Sequence, residues 1–147
     1  MSTAIQVKAL FNKCTLPISV KFQSALIKLI NAHSDGNHSS ITLNFRDTGY
    51  SAEAGGFHPV EVALLKDASE RWSIQYITDF AYTDSACQEL ERSVDFDMGN
   101  SMAFFTGVGW QPIDAYGVSD FYELWENNFL SYLAMGAFDQ IKASSNL

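Results

Sequence analysis

Two periodicities divide the chain. Thr3-Ala4-Ile5-Gln6 has the form of a capping box and predicts a short first helix reaching about Asn12, before Pro17 interrupts. Ser19 then stands where an N-cap belongs. Phe22, Leu26, Leu29, Ile30 and His33 follow at helical spacing, so a second helix is predicted there. The polar run from Asn31 to His38, with Gly36 inside it, ends that helix. From Ser39 the period drops to two. Ile41, Leu43 and Phe45 alternate with Thr42, Asn44 and Arg46, the pattern of a half-buried strand. Val60, Val62 and Leu64 repeat it after Pro59, which sits at a strand start where its missing N–H is tolerated. The longest predicted strand follows the turn Lys66 to Glu70. Strict alternation puts Trp72, Ile74, Tyr76, Thr78, Phe80 and Tyr82 on one face, and Ser73, Gln75, Ile77, Asp79 and Ala81 on the other. Leu90 to Met98 and Met102 to Val108 read as a fourth and a fifth strand. Beyond Pro112 the helical period returns, with Ser119 as a cap and Asp120 and Glu123 near the positive helix end. From Phe129 to Phe138 that helix is apolar almost all round, so it needs cover on several sides.

No strand–helix–strand alternation occurs, which argues against a parallel sheet. The pattern predicts a single α+β domain over residues 1–147. At its centre is a twisted antiparallel sheet of about five to seven strands, flanked by N-terminal helices and a long C-terminal helix. Composition agrees. Of 147 residues, 47% are hydrophobic, 14% aromatic and only 18% charged, which excludes a disordered chain. The first ten residues lack the apolar run of a signal peptide, and no apolar stretch reaches membrane-spanning length. A cytoplasmic protein with no membrane association is expected. Cys14 and Cys87 match no metal or redox spacing and are expected as thiols of a reducing compartment, with a single disulfide between them as the alternative.

Charge sharpens the picture. The net charge is −8. Residues 1–46 hold five basic residues and one acid, for +4, whereas residues 47–147 hold four basic residues and sixteen acids, for −12. An acidic body repels phosphate backbones and attracts basic proteins, peptides or cations. No nucleic-acid partner is expected, and a basic protein or peptide is.

Four places could carry chemistry. The loop from Gly49 to Pro59 has three glycines and carries Tyr50, Glu53 and His58. Glycines allow close backbone approach, and Glu53 with His58 would form an acid/base pair if the loop folded them together. With Asp79 these residues are the candidate ligand site. Alternatively the glycines only satisfy turn geometry, with Phe57 and His58 plugging the sheet edge. The loop matches neither a Walker A loop nor a dinucleotide fingerprint. Second, Asp95-Phe96-Asp97 begins like a calcium loop but lacks the closing glutamate, and Asp79 would join it in an acidic patch. Third, no Gly-x-Ser-x-Gly elbow or Cys/His arrangement supports a nucleophile. No catalytic residue, cofactor or metal is expected. Fourth, Trp125, Phe129, Tyr132, Leu133 and Phe138 offer apolar surface for assembly with further copies of the chain.

The runs Ile41-Thr42-Leu43-Asn44-Phe45-Arg46-Asp47, Tyr50 to Glu61 and Tyr76-Ile77-Thr78-Asp79-Phe80, with Leu124-Trp125-Glu126-Asn127-Asn128-Phe129, Tyr132 and Met135-Gly136, resemble an uncharacterised bacterial domain-of-unknown-function family. Its most specific part is Ser51 to Glu61. That resemblance covers nearly the whole chain and implies no activity. The order of elements and the acidity also look like the mitochondrial matrix acidic glycoprotein family, without a shared motif. This second resemblance implies ring-shaped trimers that bind many protein partners. The chain is thus expected to be an acidic, oligomeric, non-catalytic protein-binding module. The alternative is an enzyme or small-ligand binder built on the Gly-rich loop.

Overall fold

A computed structural model describes residues 7, 9–34, 38–82 and 89–145. The first predicted helix and Cys87 fall largely or wholly outside them. Where that helix was expected to end, the chain is instead extended. Phe11 bridges Trp72 in parallel, and Asn12 N–H donates to the Trp72 carbonyl at 2.9 Å.

Helix α1 spans Val20–His33, and Ser19 caps it through a 3.0 Å bond from Phe22 N–H. Its stripe of Phe22, Leu26 and Ile30 is buried. Seven strands follow: β1 Ser40–Arg46, β2 Val60–Lys66, β3 Trp72–Tyr82, β4 Leu90–Asp97, β5 Met102–Phe105, β6 Gly109–Pro112 and β7 Gln140–Ser145. A short 3-10 turn, Met98–Asn100, links β4 to β5. The strands form one sheet in the order β6-β5-β4-β3-β2-β1-β7, every neighbouring pair antiparallel. The expected architecture is therefore present. β6 and β7 are additional to the strands read from the pattern.

Helix α2, Val118–Ala134, precedes β7. It starts one residue before Ser119, with Gly117 at the N-cap, and ends four residues before Phe138. Gly136 takes a positive φ of 76° there, a conformation that closes helices. The apolar run thus divides between helix and return loop. Among the described residues no helix is long and apolar enough to cross a membrane.

Cross-strand register lines the helix-facing side in rows. Leu43, Val62, Ile77, Phe96 and Ala103 form one row, every member buried. The next is Phe45, Val60, Asp79, Val94 and Phe105. Rings of both helices close over these rows. Phe22 meets Phe129 at 5.7 Å, Phe45 meets Phe129 edge-on at 5.0 Å, and Phe96 meets Tyr122 edge-on at 5.1 Å. Each such buried ring contributes about 1.5–3 kcal/mol by burial alone.

Alternation in β3 fails at one point. Leu64 pairs with Ile74 and Ala63 with Tyr76, leaving Gln75 unpaired as a bulge. A bulge moves later residues to the opposite face. Trp72 and Ile74 therefore share the core side with Ile77 and Asp79, not with Tyr76 and Thr78.

Candidate functional site

The Gly-rich loop is organised by Asp47. One carboxylate oxygen accepts from Gly49 N–H at 3.0 Å, and the other from Phe57 N–H at 3.0 Å. Gly56 has φ 137°, and a Cβ there would stand 2.8 Å from Asp47 Oδ2 and 3.0 Å from Tyr50 Cα. No other residue fits that position without displacing the loop. Thr48 ties the loop to the far end of the chain, its N–H donating to Asp139 Oδ1 at 2.8 Å and its hydroxyl to Asp139 Oδ2.

This scaffold delivers Phe57 and His58 to a cleft between the loop, β3 and α2. The cleft encloses about 300 Å³ and is walled mainly by Phe57, Trp125, Phe129, Tyr132 and Phe138, with His58, Asp79 and Asn128 as its polar side chains. Asp79 joins the two sides. Its Oδ1 lies 2.8 Å from His58 Nδ1, and its Oδ2 accepts from Trp125 Nε1–H at 3.0 Å. The hydrogen bond to the Asp79 carboxylate raises the His58 pKa above its ordinary 6.5, against the opposing effect of burial.

Of the four ligand-site residues read from the sequence, His58 and Asp79 meet in this cleft. Tyr50 stands behind them. Its ring lies 5.4 Å from that of His58 and 5.0 Å from that of Tyr82, and its hydroxyl accepts from Tyr82 N–H at 3.0 Å. Tyr50 props the histidine and does not line the cleft. Glu53 sits on the exposed turn closed by the Ser51–Gly55 bridge, also outside the lining. The aromatic wall was read from the sequence as an assembly surface. Trp125, Phe129 and Phe138 are instead 9%, 2% and 7% exposed, buried in this chain's own core. Tyr132 is 36% exposed and Leu133 partly buried. The exposed apolar side chains of α2 are Phe121 and Leu124, together with Tyr132.

The expected acidic patch does not include Asp79. Asp95 pairs across from Thr78, on the face away from the helices, whereas Asp79 points to the helices. Asp95 is 4% exposed, accepts from Arg92 Nε at 2.8 Å, and has its pKa raised by burial. No group of three or more candidate metal ligands occurs among the described residues.

Sequence reasoning missed a second buried carboxylate. Glu126 Oε2 accepts from Tyr122 O–H at 2.6 Å and from Ser19 N–H at 3.1 Å, so α2 reaches across to hold the start of α1. The sign suits the positive end of a helix. Burial, then the Glu126 charge, pushes the Tyr122 hydroxyl far above its ordinary range. In the sequence, Glu126 lies among the residues of a polar helix side, which hides it.

Two solved structures share the fold. A hypothetical protein from the VSP-II pathogenicity island of Vibrio cholerae is 39% identical, with a TM-score of 0.86 over 92% of this chain and 98% of its own. A conserved hypothetical protein from the VPI-2 pathogenicity island of Vibrio cholerae is 44% identical, with a TM-score of 0.84 over 92% of this chain and 100% of its own. The latter is described as sharing structural homology with the human P32 protein. No functionally curated protein matches the chain significantly. The family model for a protein of unknown function, DUF2787, matches residues 20–144, and the chain belongs to that family.

Proposed function

We propose that the protein is a non-catalytic binding module for a basic segment of a partner protein, with the cleft beside His58 and Asp79 seating a lysine or arginine side chain. The position of Asp79 carries this reading. It is the polar member of the row Phe45, Val60, Asp79, Val94 and Phe105, and it opens into a cleft walled by rings. The aliphatic stem of a basic side chain packs on such rings, and its charged head is attracted both to their faces and to the carboxylate. The −12 carried by residues 47–147 favours encounter with a basic partner. The competing reading, an enzyme or small-ligand binder at the Gly-rich loop, draws on the same His58–Asp79 pair, which can hold and release a proton. Binding is the better fit, because among the described residues no serine, threonine, cysteine or lysine lines the cleft. Fluorescence anisotropy of a labelled lysine-rich peptide tests it. Asp79→Asn should weaken binding roughly tenfold or more, the scale of one charge-assisted contact. An undiminished affinity would remove the proposal.

Self-association is a second reading, favoured by the exposed Phe121, Leu124 and Tyr132 of α2 and by Met135 just beyond it. Light scattering coupled to size exclusion tests it, and a clean monomer would end it.

A further inference from the structure

A larger cavity lies elsewhere, at the opposite end of β3 from Asp79. It encloses about 840 Å³ between the extended residues 11–18, the first turn of α1, the start of β3 and the 3-10 turn. That volume is ample for a small molecule. Its chemistry runs against the rest of this acidic molecule. Lys13 and Arg71 line it, and among the described residues no aspartate or glutamate does. The carboxylate of the adjoining turn, Asp67, is engaged by Asn12, Ser69 and the Arg71 backbone. Phe11, Leu16, Ile74 and Met98 supply an apolar wall. Gln23, which also lines the cavity, has its Oε1 shielded from solvent and without a hydrogen-bond partner. An orphaned buried acceptor is costly and calls for a donor.

We infer that this cavity binds a small amphipathic organic acid. Its carboxylate pairs with Lys13 and Arg71, its hydrocarbon or aromatic body lies on the apolar wall, and an N–H or O–H donates to Gln23 Oε1. Arginine suits a carboxylate through two parallel hydrogen bonds. Lys13 precedes the span matched by the family model, whereas Gln23 and Arg71 lie within it, so the site joins the N-terminal segment to the shared domain.

The test uses the full chain and saturation-transfer NMR with N-acetylphenylalanine, 3-phenylpropionate and octanoate, beside the methyl ester of the first. Transfer from the acids, with loss of roughly tenfold in affinity for the ester and for Lys13→Gln/Arg71→Gln, is the expected result. Both substituted side chains are on the surface, so folding is not at stake. Gln23→Met keeps the volume and deletes the acceptor. It should raise the melting temperature of the free protein while weakening N-acetylphenylalanine, a pairing that a merely structural glutamine would not give. No transfer from any of the three acids, equal binding of acid and ester, or unchanged affinity in the double variant would overturn the inference. The double variant should leave binding of the lysine-rich peptide intact, which separates this site from the cleft at Asp79.

Discussion

Asp79 and Glu126 are carboxylates on the inner side of the fold, and their surroundings give them different work. Asp79 faces a cleft and shares its two oxygens between His58 and Trp125. Because the pair raises the His58 pKa above 6.5, its stabilisation is fully present below that pH and is lost as pH rises through the folded-state value. Histidine NMR titration should find His58 above its ordinary range, and Asp79→Asn should return it there. A His58 that titrates identically in both proteins would contradict the geometry. Basic-peptide affinity should also increase as His58 loses its proton, because Asp79 is then the cleft's unneutralised charge. Glu126 is 4% exposed and closed in by its two donors. Glu126→Ala orphans Ser19 N–H and Tyr122 O–H and should cost about 2–5 kcal/mol in urea denaturation, whereas Glu126→Gln keeps an acceptor and should cost about 1 kcal/mol.

At the scale of elements, what could be read from the sequence follows the strength of the burial signal. β1, β2 and α1 each bury one face, so their periods stand out. β7 is an edge strand, half-exposed along its length, and Gln140-Ile141-Lys142-Ala143-Ser144-Ser145 carries too little alternation to register. β6 is four residues long and contains both Gly109 and Pro112, which are unfavourable in strands and mask its pattern. In β3 the alternation was real but the bulge at Gln75 reversed it, and that reversal decides the site. Unbroken alternation from the buried Trp72 would have sent Asp79 to the open face. His58 and Asp79 were legible because a Gly-rich loop and a charged residue in a strand are both unusual. The aromatic wall was legible only as apolar surface, since periodicity does not say what covers a ring. β7 also has a protective role. It pairs with β1 over six registered positions and would otherwise leave β1 as a bare edge. Truncation after Asp139 should therefore lower the melting temperature by several degrees and promote aggregation during size exclusion. A truncated chain that stays monodisperse with an unchanged melting temperature would count against that role.

Over the whole molecule, charge and cavities are arranged in opposition. The chain carries −8 overall, its Asp79 cleft presents a carboxylate, and its larger cavity keeps two cations with no acid among the described lining residues. Binding of a basic peptide should weaken steeply between low and physiological salt, because long-range steering is screened within about 10 Å at 0.1 M. Anisotropy at two ionic strengths measures this, and salt-independent binding would mean that the acidic body plays no part. Occupancy of the cleft can be read directly from Trp125, whose indole N–H donates to Asp79. The indole resonances of the chain's three tryptophans can be followed while a lysine-rich peptide is added to ¹⁵N-labelled protein. The Trp125 resonance should shift with peptide, and Asp79→Asn should abolish the shift while the protein stays folded. A Trp125 resonance that stays in place at saturating peptide would contradict it.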